Sequence, residues 1–275
     1  MTTTKSPKQP AYRRPLNSKQ LLILKLLYKF RYLTVDLLMT AQGHKYQATH
    51  SNRLKVLLDQ EYIGRHYDSS YRIDRRYAEY YILPKGINIL KNLDIFKPSV
   101  LKRLYRDKTA SQHFINHSLN IFKLYNTLRR LYPDTFSIYT AIELSGQEDL
   151  SEMLPDALLK PNSQEKAKEY YLECVKDLAQ VLLVKRKITS YLKHCASDEW
   201  QDTDRDYPSV LILTELDSTQ KTLHKFIAKK LSYSEAVVKF YTTTLKQFHA
   251  SIDNNAKIWH EVGEDELIKL DISPK

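Results

Sequence analysis

The sequence predicts an α+β protein built from two parts, and three observations lead to this prediction. Apolar residues repeat at helical spacing over residues 17–60, and the repeat changes to the alternation typical of strands from residue 136. Positive charge is concentrated at one end, because residues 1–110 hold 22 basic and 8 acidic side chains whereas residues 111–275 hold 21 and 24. A chain of 275 residues with 42% hydrophobic content can bury one large core or two modest ones, and the uneven charge favours two.

Residues 1–16 are polar and contain prolines, and we expect them to form a flexible basic arm. They lack the apolar stretch of a signal peptide, and no run of 18 apolar residues occurs in the chain. Cys174 and Cys195 form no CxxC pair, which argues against a disulfide framework or a zinc ribbon. We therefore expect a cytoplasmic protein with no membrane partner.

Residues 17–93 are predicted to form three helices followed by a β-hairpin. The helices cover about 17–30, 34–40 and 47–60, and Gly43 ends the second one. Leu54, Leu57 and Leu58 pack the third helix. The hairpin strands turn near residues 68–70 and return through 77–83, and a short helix follows from Pro84. Three helices and a basic, aromatic hairpin indicate a winged helix-turn-helix domain.

The winged helix-turn-helix prediction makes double-stranded DNA the expected partner, because concentrated positive charge suits a polyanion. Recognition helices read base edges with their N-terminal residues, so the start of the third helix is expected to face the major groove and the nearby arginines to face phosphates. The residues expected to bind DNA are His44, Lys45, Tyr46, Gln47, Thr49, His50, Arg53, Arg65, Arg72, Arg75 and Arg76. The alternative is that these arginines form an ordinary solvated surface.

Residues 94–109 are predicted to be a basic linker, followed by an α/β domain over 110–246 and a C-terminal tail over 247–275. The expected order is a helix to about Leu131, three strands (136–143, 153–160 and 169–176), a helix over 177–195 and a buried strand over 209–215. A helix over 219–231 and a strand over 237–245 follow. His113 and His117 are four residues apart, a spacing that can hold a metal, but without a third ligand nearby packing and hydrogen bonding are favoured.

Asp156 and Glu173 are the acidic pair that the strands are expected to bring together. If Lys160 pairs with Glu169 across the eight-residue turn, the same antiparallel register sets Asp156 opposite Glu173. Their Cβ atoms would then lie about 5 Å apart. One more residue in the turn would undo this pairing.

The order of helix, three strands, helix and strand, with Pro155-Asp156 and Glu173 on neighbouring strands, resembles the PD-(D/E)xK core of restriction-endonuclease-like proteins. The resemblance implies that Asp156 and Glu173 bind Mg²⁺ as a cofactor, and that a lysine completes the catalytic site. The lysine is expected two residues after the glutamate, where this chain has Val175. Lys187, or with less support Lys185, is the candidate to replace it from the following helix.

Four strings in the order ASQHFINHSLNIFKLYNTLRRLYP, LPDALL, YYLEC and YPSVLILTE, with Lys187 and Tyr191 four residues apart between the last two, resemble the replication-relaxation family of plasmid and mobile-element proteins. The resemblance runs from the winged helix to about Thr222. It implies a role in plasmid replication and DNA relaxation. Members usually carry an acidic residue two places after the strand glutamate, and Val175 departs from this pattern.

Two functions therefore stand as hypotheses. The leading one is a plasmid or mobile-element DNA-binding protein that acts at an origin, with or without metal-dependent nicking by Asp156, Glu173 and Lys187. The alternative is a non-enzymatic transcriptional regulator or initiator scaffold whose degenerate nuclease-like domain forms a homodimer or recruits a partner. A protein-protein adaptor is a third, weaker hypothesis. The histidines contain no His-x-His motif of the kind a two-histidine relaxase needs, and five glycines leave no glycine-rich phosphate loop.

Overall fold

The computed structural model describes residues 15–43, 46–93, 96, 98–145, 147, 150–162, 168–203 and 205–270. Most of the predicted basic arm therefore lies outside the described residues. None of the helices in these ranges combines the length and the apolar character needed to cross a lipid bilayer.

Three helices open the described chain, at the positions that the apolar pattern predicts. They are α1 (Ser18–Phe30), α2 (Val35–Gln42) and α3 (Gln47–Asp59). Asn17 and Gln20 form a reciprocal capping box at the start of α1. Gly43 ends α2 in the left-handed conformation, which a glycine adopts without steric cost. The predicted helices are confirmed, with boundaries that differ by one or two residues.

Two short antiparallel strands, β1 (Ile63–His66) and β2 (Glu79–Ile82), follow the helices. The hairpin was predicted to turn near residues 68–70, and the structure has the start of a short helix there. The Asp68 side chain accepts a hydrogen bond from the Ser70 backbone nitrogen at 2.8 Å and caps a short helix, α4 (Ser69–Ile73), which lengthens the connection. Leu33 pairs with Tyr80 through an isolated bridge, so the chain leaving α1 lies against β2.

The segment predicted as a linker is largely helical where it is described. After α5 (Pro84–Lys91), the chain forms α6 (Pro98–Leu101) and a 3₁₀ helix (Lys102–Thr109). Val100, Leu101 and Leu104 are buried in the main apolar cluster. This segment is therefore packed against the rest of the protein, whereas the proposed division into domains stays a prediction.

A long helix and a seven-stranded sheet form the rest of the described chain. The elements are α7 (Gln112–Leu131), β3 (Phe136–Thr140), α8 (Ala141–Leu144), β4 (Ala157–Pro161), β5 (Tyr170–Val175), α9 (Leu178–Cys195), α10 (Asp198–Gln201), β6 (Ser209–Thr214), α11 (Asp217–Leu231), β7 (Phe240–Thr244), α12 (Leu245–Ala250), β8 (Trp259–Glu261) and β9 (Leu267–Ile268). The strands lie side by side in chain order from β3 to β9. The pairs β5–β6 and β6–β7 are parallel and the other pairs are antiparallel.

Two predicted strand boundaries and the predicted C-terminal tail need correction. β3 ends at Thr140, because Thr140 and Glu143 form a capping box that starts α8 and removes Ile142 from the strand. β4 starts at Ala157, so Asp156 precedes the strand instead of lying within it. The predicted C-terminal tail contributes α12, β8 and β9, and its Trp259 is 1% exposed in the core.

The register predicted between β4 and β5 is confirmed. Ala157 lies opposite Leu172 and Leu159 lies opposite Tyr170, which is the alignment that pairing Lys160 with Glu169 requires. Lys160 and Glu169 also form an ion pair at 3.5 Å. Extended by one residue, this register brings the chain at Asp156 beside Glu173.

Helices cover both faces of the sheet. On one face, α7 contacts β5 and α12 contacts β6 and β7. On the other face, α9 contacts β5 and α11 contacts β6 and β7. Side chains alternate between faces along a strand, so Glu173 shares the α9 side with Tyr171 and Val175. The opposite face of the sheet joins α7 and the N-terminal helices in one apolar cluster.

Candidate functional site

Two buried carboxylates converge on one ammonium group at the junction of β4, β5 and α9. Lys187 Nζ lies 2.8 Å from Asp156 Oδ1 and 2.7 Å from Glu173 Oε2. Glu173 is 1% exposed and Lys187 is 6% exposed. The structure therefore brings together the three residues that the sequence nominated as catalytic and metal-binding. We call these three residues the ionic cluster.

The remaining carboxylate oxygens of the ionic cluster also have donors. The Tyr191 hydroxyl donates a short hydrogen bond to Glu173 Oε1. The Cys174 backbone nitrogen donates to Asp156 Oδ2 at 2.9 Å. Lys187 and Tyr191 are four residues apart on α9, so both side chains lie on the helix face that packs against β5.

His117 reaches the cluster from the opposite side of the sheet. Its Nε2 atom lies 3.3 Å from Asp156 Oδ2. Its Nδ1 atom lies 3.1 Å from Gln180 Nε2, and Gln180 Oε1 accepts a hydrogen bond from the Lys176 backbone nitrogen at 2.6 Å. The Gln180 amide and the Asp156 carboxylate therefore lie at the two ring nitrogens of His117 and fix the orientation of the imidazole.

Burial and mutual charge shift the pKa values of the cluster in different directions. Burial raises the pKa of Glu173 to about 7, although the Lys187 ammonium acts in the opposite direction. Burial also acts to raise the pKa of Asp156, but the charges of Lys187 and His117 outweigh it and hold that pKa well below its usual range. For Lys187, burial is outweighed by the two carboxylates, which raise its pKa above the ordinary value. The Asp156 carboxylate likewise outweighs burial and raises the pKa of His117. Asp156 and Lys187 are therefore charged at neutral pH, whereas Glu173, with a pKa of about 7, exchanges its proton in this range.

A cavity of about 240 Å³ opens onto Asp156 and His117, between α1, α7 and the 3₁₀ helix. Its walls combine apolar side chains with three cationic ones. The lining residues include Lys29, Arg31, Arg103, Phe114, Ile121, Ile142 and Leu154. Lys29 pairs with Glu143 at 2.9 Å, and Arg31 Nε donates to Asp107 at 2.8 Å. Arg103 is exposed at this cavity and forms no ion pair with any described acidic group.

The positions around Glu173 explain why Lys187 is the lysine in the cluster. Val175 is 1% exposed and packs in the apolar cluster beneath α9, so it supplies no charge. Lys176 lies on the other side of the strand and pairs with Glu215 at 3.3 Å. Lys185, the less favoured candidate, lies over the Phe226 ring at 5.2 Å instead of at the carboxylates.

The predicted major-groove residues are partly exposed. Tyr46 is 79% exposed, and Gln47 and Thr49 are also exposed at the start of α3. His50 is 0% exposed, so the expectation that its side chain faces DNA is wrong: it is on the buried side of α3. His44 and Lys45 lie outside the described residues.

The five predicted phosphate-contacting arginines differ in their surroundings. Arg65, Arg72 and Arg75 are exposed, and Arg65 lies 5.4 Å from the Tyr67 ring centroid. Arg76 pairs with the buried Glu79 at 2.6 Å and lies over the Tyr71 ring, so it has a structural role in the described fold. Arg53 is half-buried.

His113 and His117, the two histidines four residues apart, do not converge on one site. His113 contacts Asp177 at 2.8 Å, whereas His117 contacts Asp156. Across the described part of the chain, no group of three or more histidine, cysteine, aspartate or glutamate side chains has the arrangement to hold a metal ion. Any metal at the ionic cluster would therefore depend on Asp156 and Glu173 as its two protein ligands.

No family model matches the chain, and no curated protein matches it. The geometry of the described residues therefore carries the functional argument.

Tyr191, His117 and Arg103 were not predicted to lie at the cluster or its cavity. The spacing of four between Lys187 and Tyr191 was noted in the sequence, and it sets both side chains on one helix face, so a place for Tyr191 at the cluster could have been inferred from it. His117 and Arg103 come from elements far from Asp156 in the chain, and no local spacing relates them to it. Their positions depend on how α7 and the 3₁₀ helix pack.

Proposed function

We propose that the protein binds double-stranded DNA and nicks it in a Mg²⁺-dependent reaction at Asp156, Glu173 and Lys187. The proposed setting is replication or relaxation of a plasmid or mobile element at an origin. The observation that carries the proposal is the convergence of two buried carboxylates and one lysine beside a cavity lined by cations. Such a cavity suits a phosphate group, since cationic side chains lower the free energy of an anion next to them.

The N-terminal region supports duplex DNA as the partner. Its three helices followed by two antiparallel strands are the elements of a winged helix-turn-helix. In that interpretation α3 is the recognition helix, and its exposed Tyr46, Gln47 and Thr49 face base edges. Arg72 and Arg75 then contact phosphates from the connection between β1 and β2.

The sheet region supports a PD-(D/E)xK-like interpretation. The elements α7, β3, β4, β5, α9 and β6 occur in the order expected for that core, with the short helices α8 and α10 as additions. Three of the strands are antiparallel and the fourth is parallel. The Asp156 and Glu173 carboxylates share one cation, Lys187 Nζ. This arrangement is consistent with a two-carboxylate site.

Two carboxylates are ligands of the kind that a magnesium ion takes. Mg²⁺ binds through one or two carboxylates and keeps several water ligands, so Asp156 and Glu173 suffice as its protein ligands. When bound, the ion would supply an activated water and positive charge for the reacting phosphate. In the structure the Lys187 ammonium forms hydrogen bonds with both carboxylates, so they already share one cation.

The chain's own residues hold and orient this site. Tyr191 fixes one oxygen of Glu173, and the Cys174 backbone nitrogen fixes one oxygen of Asp156. Lys187 supplies a proton donor and a positive charge beside the reacting phosphate. His117 restrains Asp156 from the α7 side.

The nicking test uses supercoiled plasmid that carries the cognate origin. With Mg²⁺ the wild-type protein should convert it to open circles, and Glu173→Gln and Lys187→Met should abolish the conversion. Glu199→Gln, an equivalent change at an exposed acid on α10, should leave it unchanged. Absence of open circles with folded wild-type protein and cognate DNA would refute the nuclease assignment.

The DNA-binding test replaces Arg72 and Arg75 together by Gln. Duplex affinity should fall, and the slope of log affinity against log salt should decrease by about 0.9 for each lost phosphate contact. Lys225→Gln/Lys229→Gln, which removes the same charge from the exposed face of α11, is the control. Equal effects of the two double variants would place the duplex-binding surface elsewhere.

A second candidate function is a non-enzymatic DNA-binding regulator or initiator scaffold. One observation favours it: each carboxylate oxygen of Asp156 and Glu173 already has a donor within the protein. In this case Lys187 permanently takes the place of a metal, and the sheet region serves as a homodimerisation or partner surface. Duplex binding without nicking, together with no Mg²⁺ binding by calorimetry, would support this candidate over the first.

A further inference from the structure

We propose that the 3₁₀ helix at residues 102–108 binds an unpaired DNA strand next to Asp156. We call its exposed side chains the 102–108 ridge, defined as Lys102, Arg103, Tyr105, Arg106 and Lys108. This inference rests on the proposed function, since it names the strand on which the same site would act. The ridge is separate from the duplex-binding residues on α3 and around β1 and β2.

The ridge follows from a three-residue period in the sequence KRLYRDKT. Leu101, Leu104 and Asp107 are each 0% exposed and form the inner side of this segment. A 3₁₀ helix has three residues per turn, so side chains at positions i and i+3 lie above one another. Lys102 and Lys108 therefore share one outer row with Tyr105 between them. Arg103 and Arg106 form the adjacent row.

The four cations of the ridge are available for an external anion. Within the described ranges, none of them forms an ion pair with an acidic side chain, and all four are exposed. The acidic side chain of the segment, Asp107, points inward and pairs with Arg31. Cations with no acidic partner contribute most to the free energy of binding nucleic acid, because each phosphate contact releases condensed counterions.

Tyr105 makes the ridge suited to an unpaired strand. It is 45% exposed, and Lys91 Nζ lies 5.8 Å from its ring centroid. Proteins that bind single strands combine a cationic groove with aromatic side chains on which bases stack. Bases inside a duplex are already stacked on each other and do not offer their faces.

Arg103 connects the ridge to the ionic cluster. It lines the cavity that opens onto Asp156 and His117, and its backbone oxygen accepts a 3.4 Å hydrogen bond from Arg31. The cavity of about 240 Å³ is smaller than the roughly 300–1,000 Å³ typical of small-molecule pockets. It therefore has room for a phosphate group and excludes a duplex. A strand held on the ridge would present its backbone to this cavity.

The test measures fluorescence anisotropy of full-length protein with two probes, a blunt duplex and the same duplex with a single-stranded extension. Arg103→Gln/Arg106→Gln should weaken binding of the extended probe at least tenfold and change binding of the blunt duplex less than twofold. The salt slope for the extended probe should fall by about 1.4, at about 0.7 for each single-strand phosphate contact. Lys225→Gln/Lys229→Gln is the charge-matched control and should behave as wild type on both probes.

Tyr105 provides a second, charge-neutral measurement. Tyr105→Ala should weaken binding of the extended probe about fivefold or more, because a base loses its stacking partner. Tyr105→Phe keeps the aromatic face and should restore wild-type affinity. Circular dichroism spectra and thermal midpoints establish that each variant is folded.

The outcomes separate the inference from the proposed function. If wild-type protein binds neither probe, the proposed function fails and the inference falls with it. If wild type binds the blunt duplex and the ridge variants bind both probes as wild type does, the ridge assignment alone is overturned. Equal losses on both probes would also overturn it, since the ridge would then contact duplex DNA.

Discussion

The ionic cluster and the 102–108 ridge both concentrate charge, but the charges of the cluster are buried and paired whereas those of the ridge are exposed and form no ion pair with a described residue. In the cluster, Lys187 contacts two carboxylates, and each of those carboxylates has a further donor. On the ridge, four exposed cations have no ion-pair partner among the described residues. Charges that are removed from water require partners inside the protein, whereas exposed charges remain free for partners outside it. Substitutions in the cluster should therefore change stability, and substitutions on the ridge should change binding.

Lys187→Met should produce the largest loss of stability. It leaves two carboxylates beside each other without their shared ammonium, and breaking a buried ion pair costs about 3–5 kcal/mol. Urea unfolding at pH 7 measures the loss. Lys193→Met, an exposed position in the last turn of α9, should stay within about 0.5 kcal/mol of wild type. Similar losses in the two variants would contradict the distinction between buried and exposed charge.

The pH dependence of stability should report the proton on Glu173. Its pKa is raised from 4.5 to about 7 in the folded protein, so the folded state binds this proton more tightly than the unfolded state. Stability from this group is therefore fully present below about pH 4.5, falls as pH rises toward 7 and is constant above it. The shift corresponds to a change of about 3 kcal/mol at most.

Glu173→Gln isolates that contribution. The difference in unfolding free energy between wild type and Glu173→Gln, measured by urea unfolding from pH 5 to 8, should decline from pH 5 to about 7. A difference that is independent of pH would show that Glu173 is charged in the folded protein throughout this range.

Tyr191→Phe should have an intermediate effect. It removes the hydroxyl that donates to Glu173 Oε1 in a fully buried position, and a hydrogen bond to a charged group contributes about 1.5–3 kcal/mol. Thermal and urea unfolding measure the loss. Tyr207→Phe offers a comparison at another largely buried tyrosine outside the cluster. Wild-type stability of Tyr191→Phe would contradict the hydrogen-bond assignment.

The smallest expected change in stability is the difference between substitutions at two neighbouring arginines, Arg76 and Arg72. Arg76→Gln should destabilise the protein by about 1–2 kcal/mol, because Glu79 is 3% exposed and loses its cation while keeping donors from Tyr71 and Gln112. Arg72→Gln removes an exposed charge and should change stability by less than about 0.5 kcal/mol. Urea unfolding of both variants makes the comparison. A larger loss at Arg72 would reverse the roles assigned to the two side chains.

Much of the secondary structure could be predicted because its causes are local. The apolar period and the cap at Asn17 predict α1, and the hydrophobic alternation with the turn length predicts the register of β4 and β5. The helix α4 was not predicted, because Asp68 acts as a cap in a segment whose charge and aromatic content resemble a strand turn. α8 was missed for the same kind of reason, since Thr140 and Glu143 end β3 with a capping box.

The candidate site was predictable to the extent that it follows from strand register and helix periodicity. Those two patterns bring Asp156, Glu173 and Lys187 together in the structure, while their catalytic and metal-binding roles stay predictions. His117 and Arg103 depend on the packing of distant elements, which one sequence does not encode as a spacing. The burial of His50 was missed because its histidine side chain gives no apolar signal on α3.

The helix α7 contacts both regions of the protein. Phe122 stacks on Phe30 of α1 with ring centroids 4.3 Å apart, and Asn126 donates a 3.1 Å hydrogen bond to the backbone oxygen of Leu37 in α2. His117 precedes Phe122 by about one and a half turns of the same helix and contacts Asp156. An α-helix is stiff over this length, so a displacement of the first two helices would carry the imidazole with it. Binding of a ligand to the amino-terminal helices would then change the contact between His117 and Asp156 through α7 alone, without any change in the sheet.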